Sequence, residues 1–153
     1  MGGNQGKVMD TMYKAIRILS RKAGPVTRMS SVYKTKAWGP VPQDDFLNKA
    51  IVLHTTLSPG LLLKALLETE SYFGRKRTVK YGPRTLDLDI LFYGHQIVHS
   101  SNLSIPHPEL HKRRFALVPL VEIVPKFKHP ILKSTMEQLL ESCEDQLEVT
   151  LWK

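Results

Sequence analysis

Two aspartates, Asp87 and Asp89, stand one residue apart in the run Tyr81-Gly82-Pro83-Arg84-Thr85-Leu86-Asp87-Leu88-Asp89-Ile90-Leu91. On an extended strand they point to one face, about 6.6 Å apart along the chain, while Leu88, Ile90 and Phe92 fill the other. Carboxylates fixed in this way repel each other unless a cation stands between them. Magnesium suits the pair, because this hard ion takes one or two carboxylates and completes its shell with phosphate oxygens and water. Two such ions about 3.5–4 Å apart can clamp the attacking and bridging oxygens of a phosphoryl transfer.

Taken alone, Asp-x-Asp is more often the wet face of an edge strand. Its surroundings change that reading. Arg75, Lys76, Arg77, Lys80 and Arg84 form one basic stretch without an acid among them, and His111, Lys112, Arg113 and Arg114 form another. Arginine grips phosphate oxygens bidentately, so the sequence places both signs of charge that a metal–polyphosphate site needs close together.

These residues require elements to hold them. Lys7 to Ala23 reads as an amphipathic helix, with Val8, Met12, Ala15, Ile16 and Leu19 at helical spacing and Gly24-Pro25 beyond it. Residues 28–35 favour a strand, and Lys36 to Asp45 is a shaped loop. Phe46 to Thr56 alternates as a strand, with Phe46, Asn48, Ala50 and Val52 on one face and Leu47, Ile51 and Leu53 on the other. Ser58-Pro59 starts a second helix that Gly74 ends. The stretch from Arg75 to Arg84 has no apolar anchor and reads as a mobile basic loop. Asp87 to Tyr93 is a predicted strand, with Gln96 to His99 returning as its hairpin partner. Ser100 to Arg114 is loop, Phe115 to Ile123 is mixed apolar, Met136 to Glu141 is a short helix and Leu147 to Trp152 is a last strand.

The 153 residues suit one domain, and 42% hydrophobic content suffices for a core. Helices mixed with hairpins indicate α+β architecture with an antiparallel or mixed sheet. Cys143 has no partner for a disulfide and no histidine nearby in sequence, so a bland, part-buried role in a reducing compartment is expected. No run approaches the roughly 18 apolar residues of a membrane helix. The opening residues fit neither a signal peptide nor a myristoylation site, which makes a cytoplasmic location the expectation. The net charge of +8 would attract nucleic acid, anionic membrane or phosphorylated small molecules alike.

The motif from Gly82 to Leu91 resembles the hallmark of the 6-hydroxymethyl-7,8-dihydropterin pyrophosphokinase family. Gly2-Gly3-Asn4 is similar to that family's Gly-Ser-Asn turn. The stretch from Tyr33 to Pro40, with Phe46-Leu47-Asn48, looks like its pterin-binding segment. Ile105-Pro106-His107-Pro108, with Arg113 and Phe115, looks like a nucleotide-binding stretch. The resemblance implies a ferredoxin-like α+β fold, mainly antiparallel, with helices on both faces and one domain over residues 1–153. It implies transfer of the terminal diphosphate of ATP to the pterin's hydroxymethyl oxygen in folate synthesis, giving AMP. Asp87 and Asp89 would hold two magnesium ions, with Arg75 and Arg84 acting beside them. Glu70, Arg75, Arg77, Arg84, Ile90, Ser104, His107 and Arg113 would bind ATP. Thr35, Lys36, Trp38, Phe46, Asn48, Asp87 and Phe115 would bind the pterin, with Phe46 and Phe115 sandwiching its ring. The family also carries an apolar strand, central to its sheet, directly before the Gly-x-Asn turn; here only Met1 precedes Gly2. The expected partners are therefore ATP and the pterin, with no nucleic acid and no membrane. A monomer is expected, with fusion to other folate enzymes left open.

Two other readings compete. A nucleotidyltransferase would need a third carboxylate, for which Glu148 is the candidate. An RNA-binding module would use the positive charge and aromatics but leaves Asp87 and Asp89 without a role.

Overall fold

The computed structural model describes residues 1–37, 42–75 and 82–153. A four-stranded antiparallel sheet has the order β1 (Gly2–Gly3), β4 (Phe46–Asn48), β3 (Tyr33–Thr35), β8 (Val149–Leu151). Asp87 bridges the free edge of β1 through reciprocal backbone hydrogen bonds with Gly2. β2 (Val26–Met29) pairs with β5 (Ile51–Leu53), and β6 (Val98–His99) with β7 (Ser104–Ile105).

Helices cover both faces. α1 (Val8–Lys22) and α2 (Pro59–Tyr72) enclose a core of Ala15, Leu19, Leu62, Leu66, Leu86, Leu88 and Ile90. α3 (Arg114–Ile123) and α4 (Met136–Glu141) build a second core from Leu110, Leu117, Leu120, Met136, Leu139 and Cys143, to which Ala50 contributes from the sheet. The strand alternation explains the split: Leu47 packs on Val8 and Met12 of α1, and Ile51 and Leu53 lie on the α1–α2 core, whereas Ala50 faces α3 and α4. Local signals hold the helices as the sequence suggests. Ser58 caps α2 by accepting from Leu61 N–H, with Pro59 as the first helical residue, and Gly74 takes a left-handed φ of 73° beyond the C-terminus. Thr135 and Gln138 form a reciprocal capping box on α4. Pro119 lies within α3.

The strands depart from expectation in several places. The predicted strand over 28–35 is two strands, because the chain bends at Ser30–Val32. Ser30 Oγ accepts the Ala50 N–H there, and Glu122 on α3 takes the Ser31 N–H, the Ser31 hydroxyl and the Tyr33 hydroxyl. The strand over 46–56 breaks at the matching point, Lys49–Ala50. Asp87 to Tyr93 is not a laddered strand: β1 is two residues long and offers a partner to Asp87 alone. Leu88 and Ile90 still point into the α1–α2 core, but Leu91 and Phe92 both pack on the α3–α4 side, so the expected alternation fails at Phe92. Its ring lies 4.8 Å from that of Phe127. Val98–His99 pairs with β7 rather than returning on 87–93.

Candidate active site

The site grows from one row of the sheet. Gly2 stands opposite Asn48 on one side and Asp87 on the other. Residues directly opposite in a ladder share a face, so the Asp87 carboxylate and the Asn48 amide project to the same side, two strand spacings apart, about 9.6 Å. Between them is a residue without a side chain. A Cβ on Gly2 would lie 2.7 Å from Asn48 Oδ1. Glycine therefore leaves open floor between a carboxylate and an amide.

The amide end is buried and fixed. Asn48 Nδ2 donates to Thr35 Oγ1 at 2.9 Å, and both residues are buried. Thr35 is in register with Phe46, which lies on the same face as Asn48. That face looks at α3, whose Glu122 receives the Tyr33 hydroxyl. Phe46 and Phe115 are each half-buried on elements that pack together, β4 and α3. The Phe115 ring has the Arg113 guanidinium carbon 5.9 Å from its centre. Lys36 is exposed, and Trp38 lies outside the described residues.

The carboxylate end is a compact ionic network. Arg75 Nη1 is 2.7 Å from Asp87 Oδ1 and also pairs with Glu70 Oε1, while Arg84 Nη1 pairs with Asp87 Oδ2. Glu70 Oε1 in turn accepts the Leu88 N–H at 2.7 Å, fixing the backbone between the two aspartates. Burial pushes the Glu70 carboxyl above its ordinary pKa, opposed chiefly by that N–H and the Arg75 guanidinium. Asp89 is exposed. His107 donates its backbone N–H to Leu91 O, its Nδ1 accepts from Glu109 N–H, and its Nε2 is 3.4 Å from Arg113 Nη1. Burial first, and then Arg113, hold its pKa below the usual histidine value, so the ring is uncharged at neutral pH. The basic stretch from Arg75 to Arg84, expected to be a mobile loop without apolar anchors, has its two end residues tied by charge to Glu70 and Asp87, and residues 76–81 between them lie outside the described residues.

Asn4, which was not assigned a role, links the two ends. Its Nδ2 donates to Gln43 Oε1 at 3.0 Å and Asp44 O at 2.9 Å, and its Oδ1 accepts the Arg84 N–H at 2.8 Å. The loop after β3 is thereby joined to the arginine that holds Asp87. Only the Gly-Gly-Asn turn signalled it. Ile90 has its side chain in the core, leaving backbone groups as all it could offer a nucleotide, and Ser104 is half-buried in β7. Arg77 lies outside the described residues. Glu148 precedes β8, at the opposite edge of the sheet from β1 and Asp87, which removes the third carboxylate that a nucleotidyltransferase reading needs.

Known proteins are similar to this chain in sequence and in fold. A model of the 7,8-dihydro-6-hydroxymethylpterin-pyrophosphokinase (HPPK) family matches residues 1–125. The chain belongs to that family. A 2-amino-4-hydroxy-6-hydroxymethyldihydropteridine pyrophosphokinase of Synechocystis sp. is 46% identical over 145 residues, covering 94% of this chain and 74% of the relative. A mitochondrial folate synthesis bifunctional protein of Arabidopsis thaliana is 43% identical over 124 residues, 81% of this chain but 22% of that protein. A crystal structure of a Plasmodium falciparum HPPK-DHPS triple mutant superposes with a TM-score of 0.73 at 16% identity, over 92% of this chain and 40% of the solved one. The fold is thus the α+β, ferredoxin-like one of HPPK domains, and this HPPK chain matches about two fifths of that longer solved chain.

The described side chains alone do not make a closed metal cage. Among the described residues no group of three or more His, Cys, Asp or Glu side chains could cage an ion. Two aspartates beside arginines fit an ion that borrows its remaining ligands from phosphate, which is how magnesium is commonly held.

Proposed function

We infer that Asp87 and Asp89 are the metal ligands through which this chain performs its family's reaction, pyrophosphoryl transfer from ATP to hydroxymethyldihydropterin in folate biosynthesis. One observation carries the reading: the Asp87–Gly2–Asn48 row, in which a carboxylate and a buried amide share a face across a glycine gap. The amide, with Thr35 and the aromatic rings of Phe46 and Phe115, suits the edge and faces of a flat heterocycle. The hydroxymethyl group of a ring held there would lie toward Asp87.

Magnesium, two ions in this proposal, would supply charge neutralisation on the phosphates as the bond to AMP lengthens. The protein's own task is placement. Arg75, Arg84 and Arg113 offer guanidinium forks to the phosphate oxygens, and neutral His107 offers a ring nitrogen without adding charge. Holding the hydroxymethyl oxygen in line with the β-phosphorus converts a bimolecular encounter into an oriented one. Thr35, Lys36, Phe46, Asn48 and Phe115 bind the pterin in this proposal. Glu70, Ser104 and the backbone at Ile90 lie on the ATP side.

The test is AMP release with the pterin alcohol and ATP. Asp87→Asn and Asp89→Asn should each lower kcat at least about hundredfold, a loss of about 3 kcal/mol in transition-state stabilisation. Near-normal turnover in both would refute the metal assignment.

A further inference from the structure

The Asp87 carboxylate, assigned above to metal binding, has both oxygens engaged by arginine. Oδ1 is 2.7 Å from Arg75 Nη1, and Oδ2 pairs with Arg84 Nη1. Glu70 completes the set as a second partner of Arg75. The side chains concerned are mostly sheltered: 3% of Glu70, 12% of Arg75, 18% of Asp87 and 32% of Arg84 is exposed. Among the described residues, the Glu70 and Asp87 carboxylates face the Arg75 and Arg84 guanidinium groups, and the formal charges of these four cancel.

We propose that this cluster is a lock: Arg75 and Arg84 mask Asp87, one of the two carboxylates assigned to the metal, until a polyphosphate draws them away, so that metal and nucleotide enter the paired site as one unit. The inference rests on the reading of Asp87 as a metal ligand. A bare divalent cation reaching Asp87 comes up against two guanidinium groups already on its oxygens, and displacing Arg84 would leave that group beside the incoming charge without its Asp87 partner. Like charges at this range, in a partly sheltered site, oppose that exchange. A metal–polyphosphate complex meets no such barrier. Its oxygens accept the guanidinium forks that the carboxylate releases, and the ion takes the carboxylate that the arginines release. Each partner leaves one opposite charge for another, and the cluster ends near neutrality again. The two ligands are thereby coupled through side chains that touch both. The protein gains an ordering rule from this exchange. Free magnesium, abundant in any cell, does not bridge Asp87 and the exposed Asp89 ahead of ATP and does not draw the phosphate-binding arginines out of position.

Uptake of Mn2+ by the free protein, read from the electron paramagnetic resonance signal of the unbound ion, tests this without turnover. Wild type, Arg84→Gln and Asp87→Asn are titrated with Mn2+ alone and again with a non-hydrolysable ATP analogue. The lock predicts weak uptake of Mn2+ alone by wild type and roughly tenfold tighter uptake by Arg84→Gln. The enhancement that the analogue gives should also be smaller in Arg84→Gln than in wild type. Circular dichroism establishes folding, and if the glutamine variant does not fold, Arg84→Met, which keeps the aliphatic stem, is read in the same way. If Asp87→Asn weakens metal uptake while removal of Arg84 leaves Mn2+ affinity equal or lower, the lock is wrong and the metal assignment stands. If Asp87→Asn changes uptake in neither condition, the metal assignment falls, and the lock with it.

Discussion

Asn48 does two things with one amide: its Nδ2 holds the Thr35 hydroxyl, and its oxygen lies against the space that a side chain on Gly2 would fill. Replacing it by Ala strands the buried Thr35 hydroxyl and removes the polar edge proposed for the pterin. Asn48→Ala should weaken pterin binding by about 1–3 kcal/mol while leaving the affinity for a non-hydrolysable ATP analogue nearly unchanged. Calorimetry with each ligand separately checks this, and equal losses for both would indicate a general collapse of the sheet. At this scale the sequence is most legible where residue type alone carries chemistry. Asp87, Asp89 and the arginines announce themselves by charge and spacing. Asn4 does not, because its meaning lies in Gln43, Asp44 and Arg84, which are 39, 40 and 80 residues away. An asparagine near a turn says nothing about such distant partners.

Helices were more legible than strands, for a physical reason. α2 and α4 are bounded by local devices, the Ser58 cap and the Thr135–Gln138 box, which are written within a few residues. The strand interruptions at Ser30–Val32 and Lys49–Ala50 depend on each other across the sheet, and on Glu122 of a helix some ninety residues on. Strand continuity is a property of partners. The same lesson applies to Asp87 to Tyr93, where an apolar pattern exists but the ladder ends with β1. β1 itself is built for close approach, since a Cβ on Gly3 would lie 2.7 Å from the Thr85 carbonyl oxygen. Gly3→Ala must therefore push the backbone before Asp87 away, at a cost of about 1–3 kcal/mol. Urea unfolding should show a lowered midpoint with unchanged slope, together with a loss of turnover larger than the loss of stability implies.

The whole molecule carries +8 formal charge, and just below neutral pH the buried, uncharged His129 makes its stability sensitive to acid. His129 is 4% exposed, and its Nδ1 accepts the N–H groups of Ile131 and Leu132 at 3.2 and 3.1 Å. Burial, with a smaller push from His111, holds its pKa below the ordinary value. In the unfolded chain the ring titrates near about 6.5. Above that pH neither state takes a proton there, and the stability is fully present. As pH falls below it the unfolded state binds the proton first, so stability declines until the folded-state pKa is reached. His107, shifted in the same direction, adds to the trend. Thermal melts from pH 7.5 to 5 should show Tm falling with acid, and His129→Gln should flatten the slope by up to about 1.4 kcal/mol per pH unit. A profile identical to wild type would show that His129 does not hold this part of the fold as a neutral acceptor.

Cys143 is the single cysteine of the chain and is 6% exposed within the α3–α4 core, while the α1–α2 core contains no thiol. The fold therefore comes with its own reporter of breathing, confined to one hemisphere. An alkylating reagent can reach the sulfur only when that hemisphere opens, so the labelling rate under native conditions gives the free energy of that opening. If it equals the free energy of complete unfolding, the two hemispheres come apart together. If it is smaller, the half bearing Phe115 opens while the half beneath Asp87 stays shut, and the wall proposed for the pterin is the looser side of the cleft.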